Sequence, residues 1–130
     1  MPARLRRPRE GTRNIAARPP DCVQVTTTLP DRAAAESLAA RLVEEGLAAC
    51  AQVVGPVGST YRWQGRVETA VEWYCHLKTS GPRLPNAMAR IRALHPYDVP
   101  EIIAVPITAG DPDYLRWIGD SVTPPPAPGG

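Results

Sequence analysis

Residues 71–78, VEWYCHLK, alternate strictly between two sets of side chains. The first set, which is largely apolar, is Val71, Trp73, Cys75 and Leu77, and the second, which is polar, is Glu72, Tyr74, His76 and Lys78. Successive side chains of a strand point to opposite faces, so this period of two predicts a β-strand with one face in a core. Such a strand needs further strands beside it and a second layer to cover it.

The preceding segments supply a strand, a helix and another strand. CVQVTT (22–27) alternates and predicts a half-buried strand, whereas AAAESLAARLVEEG (33–46) has the apolar stripe of a helix. Small residues in LAACAQVV (47–54) predict a second strand, and the glycines and proline of GPVGS (55–59) predict a turn after it. TYRWQGRVE (60–68) then predicts a ribbon that reverses near its Gln-Gly pair.

Three segments follow the alternating strand. RLPNAMARIRAL (83–94) predicts a helix, EIIAVPI (101–107) a strand bracketed by prolines, and DPDYLRWI (111–118) a short closing helix. The order β-α-β-β-α-β predicts an α+β, ferredoxin-like fold, an antiparallel sheet with two helices on one face. Its other face would mix polar and apolar side chains, which predicts that partners cover it and that the protein is an oligomer.

Net charge and proline content differ between the ends of the chain and its middle. Residues 1–20 contain six Arg and one Glu, a charge of +5, so the rest carries −3 of the total +2. Residues 1–20 (rich in Arg and Pro) and 123–130 (rich in Pro and Gly) are predicted to be disordered around a folded domain at 21–122. The net negative charge outside residues 1–20 disfavours nucleic-acid binding through the folded domain. The partners of the Arg-rich segment are unknown.

The sequence also indicates where the protein is located and whether it catalyses a reaction. The longest apolar runs are too short for a membrane span, and no apolar region follows the first arginines, so neither a membrane protein nor a secretory signal is predicted. Three widely spaced cysteines suit a reducing cytoplasm. The common nucleotide-binding, zinc-protease and serine-hydrolase motifs do not occur, and no nucleophile–base pair is identifiable, so we expect no catalysis.

The stretch HPYDVPE (95–101) joins a predicted helix to a predicted strand. The helix should end at about His95, because the residue before Pro96 is pushed out of the helical region. The negative end of the helix dipole would then favour protonated His95. A solvent-facing imidazole near Asp98 and Glu101 also makes this corner a candidate for a weak metal or anion site.

Five segments in this order resemble the CutA family of divalent-cation-tolerance proteins over about residues 22–122. They are LAACAQVV, STYRWQGRVE, WYCHLKTS, ALHPYDVPEIIAVPI and GDPDYLRWI. The resemblance implies a homotrimer whose open sheet faces turn inward around the three-fold axis. It also implies a long hairpin that reaches onto a neighbour, so Tyr61, Trp63, Tyr74 and His76 are predicted at the subunit interface.

The resemblance also implies a role in copper tolerance. The ligands proposed for copper-binding members are a cysteine near the end of the first strand and two histidines before the Pro-Tyr pair. Here those positions hold Thr27, Leu94 and His95, so one imidazole remains. Cu(II) prefers several nitrogen and oxygen ligands, so we expect weak binding of Cu(II) or another divalent cation, with His95, Asp98 and Glu101 as candidates.

Two other functions remain open at this point. The first is a signalling trimer that resembles the PII-like proteins and holds an anionic metabolite in clefts between subunits near Lys78, Tyr97 and Glu101. The second is a structural or scaffolding trimer whose Arg-rich segment recruits partners.

Overall fold

A computed structural model describes residues 21–124, which form four strands and three helices. In chain order these are β1 (Cys22–Leu29), α1 (Arg32–Glu44), β2 (Cys50–Trp63), β3 (Arg66–Ser80), α2 (Leu84–Leu94), β4 (Ile102–Pro106) and α3 (Pro112–Ser121). A single 3₁₀ turn at Gly81–Arg83 leads into α2. The segments predicted to be disordered lie outside the described residues, except for their boundary at 123–124. None of the three helices in 21–124 is long and apolar enough to cross a membrane.

The four strands form one antiparallel sheet in the order β2-β3-β1-β4. At its centre Val25 of β1 pairs with Leu77 of β3 on one side and with Ala104 of β4 on the other. This confirms the predicted ferredoxin-like α+β fold, because α1 connects β1 to β2 and α2 connects β3 to β4, and the two strands of each pair run in the same direction.

The main core lies between the sheet and helices α1 and α2. Leu38 and Leu42 of α1 and Ile91 of α2 pack with Val25 and Leu77 of the sheet. The prediction that β1 is half-buried was wrong. On its polar face Thr26 and Thr28 are buried as well, and they pair with the larger residues His76 and Tyr74 of β3.

Helix α3 packs against one end of the opposite sheet face. Cys22 and Cys50 alternate with core residues and therefore point away from α1 and α2. The Sγ atom of Cys22 contacts the carbonyl oxygen of Leu115 at 3.5 Å, and that of Cys50 lies 3.6 Å from Oη of Tyr114. The face is therefore open only beyond the end that α3 covers.

The C-terminal boundary of the folded unit lies slightly beyond the predicted one. Thr123 donates from its backbone N–H (3.0 Å) and from its hydroxyl (3.2 Å) to the carbonyl oxygen of Gly46. Residue 123, assigned from sequence to the C-terminal segment, thus closes the turn that follows α1.

Strands β2 and β3 form a hairpin much longer than the rest of the sheet. The predicted turn at 55–59 is wrong, because β2 continues through it with a register shift between Val54 and Val57. An edge strand tolerates such an irregularity, including Pro56, because one row of its backbone groups needs no partner in the sheet. The reversal at Gln64 and Gly65 is confirmed, and both residues have positive φ.

Beyond Trp73, which pairs with the last residue of β1, no third strand from residues 21–124 lies beside the hairpin. We call residues 57–72 the hairpin arm. It carries exposed Tyr61, Trp63, Val67 and Val71. Isolated two-stranded ribbons are marginally stable in water, so this arm needs a partner surface.

Replacing Gly55 by alanine should destabilise the fold. A Cβ at this position would lie 2.5 Å from the indole of Trp73, which packs against the main core. Overpacking of this kind typically costs about 1–3 kcal/mol. Chemical unfolding measures the loss. Gly58→Ala is the matched control because its Cβ would meet nothing within 4 Å, and equal stability losses in both variants would contradict the packing argument.

Candidate ligand groove and open sheet face

A groove of about 870 Å³ lies between the hairpin arm and the loop that joins α2 to β4. The arm contributes one wall, and residues 96–101 contribute the other. The loop takes this position because α2 ends at Leu94, with His95 as its C-cap, and β4 begins at Ile102, opposite Thr27 of β1. The loop therefore crosses the end of β1 and faces the arm.

The side chains of this groove are acidic and aromatic. Its carboxylates are Glu68, Glu72, Asp98 and Glu101, and its aromatic rings are Tyr61, Trp63, Tyr74 and Tyr97. The Tyr97 hydroxyl donates to Oε2 of Glu72 at 2.8 Å, which ties the loop to β3. Burial and this carboxylate together raise the pKa of Tyr97 far above its ordinary value, so the phenol stays a neutral donor.

His95 fixes the corner where the loop begins. Its Nδ1 accepts from the backbone N–H of Tyr97 at 3.1 Å. The proton therefore sits on Nε2, which donates to the carbonyl oxygen of Thr28 at 2.8 Å and lies 3.1 Å from Oγ1 of Thr27. One neutral imidazole thus joins the end of α2 to the end of β1.

The expectation of a protonated His95 was wrong. Burial lowers the pKa of His95 below its ordinary value, and the opposing effects of the Thr28 carbonyl and the Glu72 charge are smaller. Protonation would also put a hydrogen on Nδ1, which accepts from Tyr97. The helix C-terminus therefore affects the protonation of His95 less than burial and hydrogen bonding do.

The same contacts bear on the candidate metal site. Both ring nitrogens of His95 are engaged, so a metal ion would have to displace a hydrogen bond to bind there. Within residues 21–124, no three His, Cys, Asp or Glu side chains stand together as a metal-binding group. Among the described residues, His95, Asp98 and Glu101 therefore do not form a three-ligand group by themselves.

His76 lies on the open part of the opposite sheet face. Its Nδ1 pairs with Oγ1 of Thr26 at 3.0 Å, and its ring stacks on that of Tyr74 with 5.2 Å between centroids. Burial and the charge of Lys78 lower the pKa of His76, whereas the charge of Glu101 raises it. The Nε2 atom has no hydrogen-bond partner among the described residues.

The three residues predicted near a cleft between subunits do not all line the groove within one chain. Tyr97 and Glu101 line the groove, but Lys78 does not, and its ammonium donates to Oε1 of Gln52 at 2.7 Å. Among the predicted interface residues, Tyr61 and Trp63 are 41% and 46% exposed, and the other two are half-buried.

Sequence reasoning missed Glu68 and Glu72 as groove residues. They pair with Tyr61 and Val57 across the ribbon and alternate with Val67 and Val71. This spacing of i and i+4 along a strand puts both carboxylates on one face, a signal that the sequence does contain.

Comparison with known proteins gives the family. The CutA1 family, described as divalent ion tolerance protein, matches residues 23–121. The chain belongs to the CutA1 family. The CutA divalent-cation tolerance protein of Thermus thermophilus is 43% identical over 97 residues, which cover 75% of this chain and 94% of that protein. The protein of the same name from Citrobacter koseri is 39% identical over 103 residues (79% and 90%).

Solved structures place the fold in the same family. The crystal structure of CutA from Xylella fastidiosa has a TM-score of 0.77 and 42% sequence identity, and the match covers 79% of this chain and 99% of that one. The resemblance seen in the five segments is therefore confirmed, and this CutA chain belongs to a family named for tolerance of divalent cations.

Proposed function

We propose that this CutA chain contributes to divalent-cation tolerance as a homotrimer that binds divalent ions weakly between subunits. The main support is the open sheet face, where Ile103 and Val105 of β4 are 52% and 50% exposed. Apolar side chains of a sheet face at this exposure favour burial against another surface. The hairpin arm, which extends beyond the sheet, needs a partner surface for the same reason.

His76 and Glu101 are the proposed metal ligands. Glu101 lies close enough for its charge to affect the imidazole, and Nε2 of His76 is free of hydrogen bonds within 21–124. Imidazole and carboxylate are both ligands for Cu(II) and other divalent cations. A three-fold axis at the open face would bring three copies of this pair together, which supplies the ligand number that one chain lacks.

We propose that the protein acts without catalysis and in the cytoplasm. Burial raises the pKa of Cys75 to about 11, so its thiol stays protonated and is not a ready nucleophile. The His95 imidazole is fully engaged and has no free nitrogen to act as a base. The free cysteines Cys22, Cys50 and Cys75 suit a reducing compartment.

Titration of chelator-stripped protein with Cu(II) in a calorimeter tests the metal proposal. We expect weak binding at one ion per three chains, which His76→Ala abolishes because it removes all three imidazoles at once. His95→Gln is the control and should keep the binding. Absence of heat at millimolar Cu(II), or equal binding by His76→Ala, would contradict the proposed ligands.

A further inference from the structure

Arg83 is the one buried charged side chain among residues 21–124. It is 8% exposed, and its Nε and Nη1 atoms are buried without a hydrogen-bond partner in this part of the chain. No acidic side chain of the described residues forms an ion pair with it. Buried charges in proteins are normally paired and hydrogen-bonded, because an isolated one is costly in free energy. The guanidinium therefore needs an acceptor that the described residues do not supply.

The position of Arg83 in the chain adds to this need. Arg83 ends the 3₁₀ turn and directly precedes α2, so it lies at the positive end of the helix dipole, where a cation is unfavourable. Helix α2 has no acidic residue in its first turn and no side chain that caps its N-terminus. A guanidinium keeps its charge in proteins, so loss of a proton cannot remove the cost. Burial and the helix dipole therefore both favour an anion beside Arg83.

The backbone N–H groups around Arg83 already have partners. That of Arg83 donates to Oγ of Ser80 at 3.3 Å, and that of Leu84 donates to the carbonyl oxygen of Gly81. The N–H of Gly81 donates to the carbonyl oxygen of Asp21 at 2.6 Å, which ties the turn to the start of β1. An anion at this turn would therefore be held by the side chain of Arg83 and not by the backbone.

Thr79 is a second polar group without a partner at this end of β3. Its side chain is fully buried, and its Oγ1 atom has no hydrogen-bond partner among the described residues. It alternates with core residue Leu77 and therefore lies on the side of the sheet that α2 covers. A hydroxyl can donate as well as accept, so Thr79 adds a possible donor at the end of the strand that leads into the turn.

We propose that Arg83 binds a small oxyanion, a phosphate or carboxylate group from solution, at the start of α2. Arginine suits these groups because its charge is permanent and its planar set of N–H donors matches their oxygen atoms. Pro82 and Pro85, on either side of Arg83, are exposed, so an anion reaches this turn from the surface. A cation would be repelled, and this ligand class separates the site from the metal site proposed at His76. The proposal does not depend on the trimer.

Thermal unfolding of the full-length protein tests the site, in chloride buffer of constant ionic strength with added phosphate or acetate. We expect the melting temperature of the wild type to rise by about 4–8 °C at an anion concentration about five times the dissociation constant. Arg83→Met should lose this rise, whereas Arg83→Lys, which keeps the charge, should keep part of it. The control is Arg92→Met, at an exposed arginine near the other end of α2, and it should keep the rise in full.

In chloride alone, Arg83→Met should melt no lower than the wild type, because it removes an unpaired buried charge. A response of the wild type to only one of the two anions would support the site and identify the group that it binds. No response to either anion, or an equal rise in wild type and Arg83→Met, would overturn the proposal.

Glu10→Gln separates a free anion from a carboxylate of the same chain, because Glu10 is the only acidic residue among residues 1–20. The substitution should leave the melting temperature in chloride unchanged. If Glu10→Gln and Arg83→Met lower that temperature equally, Arg83 pairs with its own chain, and the proposal is wrong.

Discussion

Val105→Asp should convert the protein from a trimer to single chains. The side chain is 50% exposed on β4, the edge strand of the open face that we place at the subunit interface. Three-fold symmetry would bury three new carboxylates together, and each buried unpaired charge costs several kcal/mol. Light scattering coupled to size-exclusion chromatography measures the change in mass.

Val43→Asp is the matched control for this substitution. Val43 is 41% exposed, a similar fraction, but it lies on α1, on the side of the sheet away from the open face. The control should keep the mass of the wild type. If Val105→Asp also keeps that mass, β4 is not part of the interface.

His95→Ala should be strongly destabilising, although the residue is only partly buried. The substitution leaves the Thr28 carbonyl and the Tyr97 N–H without their partner, beside a Thr27 side chain that is fully buried. An unsatisfied buried polar group costs about 1–3 kcal/mol, so we expect a loss of about 2–4 kcal/mol in urea unfolding at matched protein concentration. His95→Gln, which keeps a donor for Thr28, should lose less.

The cost of His95→Ala should depend on pH. The pKa of His95 is lowered in the folded protein, so below an unfolded pKa of about 6.5 the unfolded chain binds more protons than the folded one. The stability that His95 contributes is therefore complete above that pH and declines as the pH falls toward the folded pKa. We expect a larger difference between wild type and variant at about pH 7.5 than at about pH 5. A difference that does not change with pH would contradict a neutral His95.

The order of strands and helices could be predicted because each element has its own periodicity. The alternation in residues 71–78 gave the correct buried face at Cys75 and Leu77, which are 0% and 1% exposed. The turn predicted at 55–59 failed because glycine and proline mark an irregularity in an edge strand as well as a turn. Sequence cannot separate the two when the neighbouring strand is unknown.

The candidate site was harder to predict because its contacts are distant in sequence. His95 donates to the backbone carbonyl of Thr28, 67 residues away, and burial at this corner lowers its pKa against the local helix effect. Glu72 reaches Tyr97 across 25 residues. Lys78 was predicted near a cleft between subunits from the likeness to PII-like trimers, and within one chain its ammonium donates to Gln52 instead of lining the groove.

The mass of the wild-type protein in solution tests the central claim most directly. A CutA chain that works as a trimer should scatter light as three copies of 14.0 kDa, about 42 kDa, at micromolar concentration. A mass of 14.0 kDa at the same concentration would contradict the trimer, the covered sheet face and the metal site proposed between subunits.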